Sequence, residues 1–325
     1  MESSMARIAL VTLLAISAAL ASAEDTRKLP KIGVVFGTNP VIGKPFDEAL
    51  REGLHSLGYV EGENVLMLRR YAQGDAARFP AMIRELIGLN VDVLLVPNTA
   101  VAAAVRSTKT VPIVGLAMAD PVAAGFVSSL ARPGTNLTGL YGLFRETHSK
   151  RLQLAIEVVP GLKRAAVIFE ADPHLASEAD ELRLFAQSLG VTLHPIAVHN
   201  AKELEAALKL MERDRSQALI LFGSPLMYIH AQKFIAGVVS HKVPVISEAR
   251  PFAEAGAVLA YGPDNLDMWK RAGIYVDKIL KGAKAAELPI EQPTKFNLVV
   301  NMRVAHVLGI SIPESILLRA NEVIR

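Results

Sequence analysis

The sequence predicts an α/β protein of two successive lobes, each built from βαβ units around a parallel sheet. Three observations predict it. Short continuous apolar runs recur along the chain, as strands buried on both faces require. Segments with helical spacing alternate with them throughout. The alternation pauses at residues 137–143, which hold Gly139 and Gly142, and then begins again.

Lys31–Phe36 (KIGVVF) opens the chain's pattern as a strand behind Pro30. Residues 37–40 read as a polar turn. Residues 45–57 read as a helix with Phe46, Ala49, Leu50, Gly53, Leu54 and Leu57 on one side and Gly58 as C-cap. A loop (YVEGEN, 59–64), a strand (65–71) and a helix (79–89) follow. The clearest unit is 91–122, where apolar runs at 91–96 and 111–118 flank an Ala/Val-rich segment. A right-handed βαβ crossover sends both strand C-termini to one edge, and open α/β sheets bind ligands there. Asn98-Thr99 follows the first run and Ala119-Asp120-Pro121 the second. Residues 121–130 are expected to form another helix, ending near Arg132-Pro133-Gly134.

The second lobe is expected to run as helix 150–159, strand 165–170, helix 176–189, strand 191–198, helix 202–213, strand 218–223, helix 228–240 and strand 243–247. A short strand at 258–261, a long helix at 265–280, a strand at 296–300 and a last helix at 303–308 complete it. Residues 137–143, 256–264 and 288–293 are hinge candidates. A cleft between two α/β lobes is a common place for a small-ligand site.

Of the 325 residues, 51% are hydrophobic and 21% charged, which points to a packed core rather than disorder. The net charge is only +3, and no Lys/Arg stripe stands out, so nucleic acid is not an expected partner. There is no cysteine, which removes disulfides, thiolate metal sites and a cysteine nucleophile. Arg7, the apolar residues 8–20 and the small-x-small Ala21-Ser22-Ala23 read as a secretory signal cleaved after Ala23, with a periplasmic destination.

Motifs for chemistry fail one by one. Gly37–Lys44 (GTNPVIGK) has one residue too many for a phosphate loop, and Pro45 stands where a Ser/Thr would reach the metal. No G-x-G-x-x-G follows the first strand, and no G-x-S-x-G occurs. The eight histidines are scattered without an H-x-x-x-H pair, so no metal is expected. Polar residues at the strand C-termini remain. They are Thr38, Asn39, Asn98, Thr99 and Asp120 in lobe one, and Glu170, Asp172, Ser224, Glu248 and Tyr261 in lobe two. Each can be a helix cap or turn former, Thr99 before its helix and Asp172 and Ser224 above all. As binding groups, free N–H groups at a helix start would hold a carboxylate, and an acidic residue across the cleft would hold an ammonium group. That pairing suits an amino acid.

Several segments carry a resemblance: GLHSLGYVEGENVLMLRRYAQG (53–74), ADPVAAG with ARPGTNLTG (119–139), KRLQLAIEVVP (150–160), FAEAGAVLAYG (252–262), AGIYVDKILKGAKAAEL (272–288) and PTKFNLVVNMRVAHVLG (293–309). In this order they resemble the substrate-binding proteins of ABC transporters of the tryptophan/tyrosine type. The resemblance implies a type I periplasmic-binding fold, two Rossmann-like lobes joined by three crossings and closing on ligand. It implies residues 31–138 with about 265–288 as lobe one and 139–264 with about 289–325 as lobe two. It also implies a permease and an ATPase as partners, no cofactor and a monomer. By position, the Thr99 loop and Asp120-Pro121 match the family's lobe-one binding edges. The chain departs from the family at Glu170-Ala171-Asp172-Pro173, where many relatives carry an Asn-Pro-rich turn. Aromatics are 6% of residues and few fall on the expected cleft loops, Phe36 and Tyr261 with Tyr141 and Tyr228, so stacking platforms are not expected.

The expected function is therefore extracytoplasmic capture of a small polar ligand, an amino acid or related carboxylate, for delivery to a permease. No catalytic residue is assigned. A ligand-sensing module and a secreted α/β hydrolase are the alternatives.

Overall fold

A computed structural model describes residues 29–325, so the expected signal segment 1–23 lies outside the described residues. The first sheet holds β1 (Lys31–Phe36), β2 (Leu66–Tyr71), β3 (Val93–Pro97), β4 (Ile113–Met118) and β5 (Leu137–Tyr141) in the order β2-β1-β3-β4-β5. All its pairings are parallel. The second sheet holds β6 (Arg164–Glu170), β7 (Thr192–Val198), β8 (Ala218–Leu221), β9 (Val245–Ser247), β10 (Leu259–Pro263), β11 (Phe296–Asn301) and β12 (Glu322–Ile324). Its order is β12-β11-β10-β9-β8-β6-β7, and only β10–β11 is antiparallel among its described pairings. The run β7-β6-β8-β9-β10 repeats the strand order of the first sheet, and in each lobe the order reverses beside the first strand. Alternate residues of β1 point to opposite faces: Ile32, Val34 and Phe36 join one core, Val35 the other. Both sheets are covered on both faces, which explains why their strands read as unbroken apolar runs.

Helix α1 (Pro40–His55) starts earlier than the sequence pattern indicates. Asn39 caps it, its side-chain oxygen accepting from the N–H groups of Val41 (3.1 Å) and Ile42 (3.0 Å). Pro45 sits inside the helix and cannot donate to the Val41 carbonyl, and Val41 is 82% exposed, so water can take that acceptor. The remaining lobe-one helices are α2 (Phe79–Gly88) and α3 (Asn98–Ser107). Lobe two carries α4 (Phe144–Val158), α5 (Pro173–Ser188), α6 (Ala201–Arg213), α7 (Pro225–Ser240) and α8 (Arg250–Glu254).

Two expectations fail. Residues 121–130 form turns, not a helix: the Asp120 carboxylate takes the N–H groups of Val122 and Ala123, and Gly125 with φ +71 leaves the helical region. The pattern also does not end at 308. After α9 (Asn265–Leu280) and α10 (Met302–Leu308), α11 (Glu314–Leu317) and β12 follow, and α8 is a further element the sequence pattern does not show.

The chain passes between the sheets at three places: after Tyr141 into α4, from β10 into α9, and from 288–292 into β11. Glu291 bridges Leu140 and its carbonyl takes the Tyr141 N–H at 2.8 Å, which fixes the third strand of this connection to lobe one. Asp264 and Lys295 tie two of the crossings together by a backbone hydrogen bond of 3.0 Å. Helix α9 packs against α1 on the outer face of lobe one. Their contact is glycine on glycine: a Cβ on Gly273 would lie 2.9 Å from the Gly53 carbonyl carbon, and one on Gly53 would overlap the Lys270 carbonyl oxygen. No helix among the described residues is long and apolar enough to cross a membrane.

Candidate ligand-binding cleft

The C-terminal edges of the two sheets face each other, and a cavity of about 130 Å³ lies between them. That is the scale of the ~150 Å³ cavity that admits a benzene ring. Lobe one contributes Thr38 after β1, Pro97-Asn98-Thr99 after β3 and Ala117 of β4. Lobe two contributes Gly223-Ser224 after β8, Glu248 after β9 and Pro263 of β10. Strand ends beside the reversal of strand order are where open α/β sheets form a crevice.

Five of the ten residues singled out from the sequence line this cavity: Thr38, Asn98, Thr99, Ser224 and Glu248. The other five sit elsewhere. Asn39 is occupied as the cap of α1, and Asp172 as the cap of α5, accepting the His174 N–H at 2.8 Å. Asp120 lines two small side cavities with its carboxylate bound to the following turn. Glu170 lies by the Ser224 loop; burial pushes its carboxyl up, while Ser224 and the Leu226 N–H favour its ionised form. Tyr261 packs on Phe296, ring centroids 6.2 Å apart, beside the second-lobe core.

Thr99 is not the cap of its helix. Pro97 holds that position, and no side chain caps α3. Asn98 lines the cavity with its side-chain oxygen engaged, accepting the Ala119 N–H at 2.7 Å beside the bulge at the end of β4, where Ala117 has φ +50. The Thr99 hydroxyl oxygen is buried with no partner. The first-turn amides of α3 and this hydroxyl thus form an anion-receptive corner.

Opposite stands Glu248, among the described residues the only carboxylate, Lys, Arg or His side chain on the cavity wall. Gly223 and Gly262 make room for it: a Cβ at 223 would overlap its carboxylate, and one at 262 its carbonyl. Burial pushes its carboxyl up, while Arg151, the Gly223 N–H and the Tyr228 hydroxyl hold the ionised form. Arg151 is fully buried with Nη1 3.9 Å from Glu248 Oε2, and its other nitrogens bond the Thr147 carbonyl (3.3 Å) and hydroxyl (3.1 Å). Behind it lie His148, stacked on Phe222 at 3.6 Å, and Glu178, whose Oε2 is 3.6 Å from His148 Nδ1. Burial pushes the Glu178 carboxyl up to about 8 and the His148 imidazole well down.

Glu178 therefore keeps a proton in the native state that the unfolded chain, at the ordinary value of 4.5, gives up. Its raised pKa supports folding below about pH 4.5, and that support is lost as pH rises through about 8. Glu178→Gln is expected to unfold at higher temperature than the parent at about pH 8, by on the order of 2 kcal/mol, and to match it more closely near pH 5. Thermal unfolding at the two pH values checks this; an equal difference at both refutes it.

The rest of the wall is apolar and aromatic: Phe36, Phe46, Phe144, Tyr228 and Trp269 all face the cavity. Phe36 stacks between Tyr71 (4.8 Å, 11°) and Trp269 (5.0 Å, 4°). Phe46 of lobe one meets Tyr228 of lobe two edge-on at 6.4 Å. The expectation of no stacking platform fails: of the four rings named from the sequence, Phe36 of β1 and Tyr228 of α7 line the wall, and Phe46, Phe144 and Trp269 join them from helices α1, α4 and α9. Trp269, the single tryptophan of the chain, was the signal available in the sequence. The lobes are closed at the rim. Asn265 of α9 reaches the Tyr228 hydroxyl at 3.4 Å, Gly74 faces Ile229, and Gly37 faces Pro225 so closely that a methyl group would overlap the proline ring.

Residues 45–324 match the family described as ABC transporter substrate binding protein. The chain is 22% identical over 284 residues to the tyrosine-binding protein of Clostridioides difficile (strain R20291), covering 85% of this chain and 80% of that one. Among solved structures it is similar to a conserved domain protein from Vibrio cholerae, with 28% identity and a TM-score of 0.85, covering 91% and 100% of the two chains. It is also similar to an ABC domain from Streptococcus pneumonia in complex with L-Trp, with 24% identity, a TM-score of 0.82 and the same coverage.

Proposed function

Because the chain belongs to the ABC transporter substrate-binding protein family, a family of binding proteins and not of enzymes, we propose that it captures an amino acid with an aromatic side chain and delivers it to an ABC permease and its ATPase. One observation carries the reading. Glu248, the sole carboxylate on the cavity wall among the described residues, stands across from an uncapped helix start and an unpartnered Thr99 hydroxyl, with aromatic rings along the wall. The α-carboxylate sits at the α3 corner, the α-ammonium at Glu248, and the ring against Phe46, Tyr228 and Trp269. Thr38, Asn98 and Ser224 complete the polar wall. Tyrosine binding in the C. difficile relative and L-Trp in the pneumococcal complex support this ligand class. The protein works as a monomer in the periplasm after cleavage at Ala23, and ligand contacts to both lobes bias it toward the closed form.

Trp269 supplies the test. Titration with tyrosine or phenylalanine is expected to change its fluorescence saturably, whereas glutamate and glucose leave it unchanged. Thr99→Val is expected to weaken the aromatic ligand about ten-fold, the cost of one hydrogen bond to a charged group. No response to any aromatic amino acid refutes the proposal.

A further inference from the structure

Behind the cavity wall lies a cluster that ligand contact alone does not use. Glu248 stands 3.9 Å from the Arg151 guanidinium, and Glu178, 3.6 Å from His148, feels the same positive charge; Glu178 and Arg151 are both under 8% exposed. Three polar atoms there have no partner: Arg151 Nη1, Glu178 Oε2 and His148 Nδ1. A dry compartment holds net charge at high cost. With both carboxylates ionised the cluster carries −1, so neutrality requires one proton shared between them.

We propose that ligand binding expels this proton: the ammonium group arriving at Glu248 neutralises the doubly ionised cluster, and the carboxyl proton of Glu178 passes to water. This rests on the reading of Glu248 as the ammonium site. No covalent bond other than the O–H bond changes. The exit is in place, because Glu178 lines a separate cavity of about 30 Å³ between the lobes, with Asp120, Tyr141, Arg145 and His174, room for about one water.

The other charged groups around the cluster leave this balance unchanged. Arg145 of α4 is paired with Glu181 of α5 at 2.9 Å. Tyr228 and Tyr261 lie near Arg151, and burial pushes the Tyr228 hydroxyl well up. His148 is kept neutral by burial and by Arg151. Asp120 stays on its turn amides. His174, at the start of α5, is the histidine that lines this cavity.

Calorimetric titration of the mature protein with tyrosine in phosphate and in Tris tests the inference. The parent is expected to show a buffer-dependent enthalpy that reports proton release, and about five-fold or more tighter binding at about pH 8 than at about pH 6. Glu178→Gln is expected to bind tyrosine with a buffer-independent enthalpy and a flat pH profile. Binding by the parent with no buffer dependence overturns the inference and leaves the proposed function standing. A buffer dependence that survives in Glu178→Gln assigns the proton to another group and also overturns it. No binding of any aromatic amino acid overturns both.

Discussion

Glu248→Gln is expected to weaken binding of an aromatic amino acid by about 100-fold, within the 2–5 kcal/mol that loss of one partner of a buried charge pair costs. The amide keeps the carboxylate's shape in the space cleared by Gly223 and Gly262. What it loses is the negative charge facing the ligand ammonium. The variant is expected to stay folded. Arg151 would lose its partner at Oε2, 3.9 Å away, but Glu178 can give up its proton and take over as the counter-charge. Glu248→Ala lacks that shape and opens a void, so the glutamine variant is the informative one. Isothermal titration and a melting curve read the two effects separately. A dissociation constant within about threefold of the parent's would remove Glu248 from the site.

Gly53→Ala should lower stability by about 2–4 kcal/mol, the range of overpacking and backbone-clash substitutions. Helix propensity predicts the opposite sign, because replacing a mid-helix glycine with alanine gains up to about 1 kcal/mol when nothing is in the way. Here the Lys270 carbonyl oxygen of α9 occupies the place of the new methyl group, and Gly273 approaches from the same side. Neither obstacle is a flexible side chain, so α9 as a whole must move. A melting temperature lowered by several degrees checks the sign; an unchanged or raised one would mean that the helices separate without cost.

Much of the strand framework was legible because strands buried on both faces leave continuous apolar runs, as at β3 and β4. Failures cluster where a local competitor wins. Residues 121–130 have helical composition, yet the Asp120 side chain captures the first amides and Gly125 turns the chain away. Pro45 looked like a helix start but is an interior residue, because Asn39 caps the chain earlier. The polar half of the cavity was legible from strand ends: Thr38, Asn98, Thr99, Ser224 and Glu248 follow strands directly. Its aromatic half was legible only at Phe36 and Tyr228. Phe46 and Trp269 lie on helices far apart in sequence, brought to one wall by the crossing that returns α9 to lobe one, and a search restricted to strand-end loops passes over them.

The closed rim has a consequence for time rather than affinity. Gly37 against Pro225 and Gly74 against Ile229 bring the two lobes into contact at the mouth of the pocket. Parting the lobes breaks these contacts, so residence time depends on the hinge and the rim, while the choice of captive belongs to the pocket. Two quantities usually tied together become separable in this architecture. Evolution, or an engineer, can lengthen retention at the mouth without retuning which molecule is held.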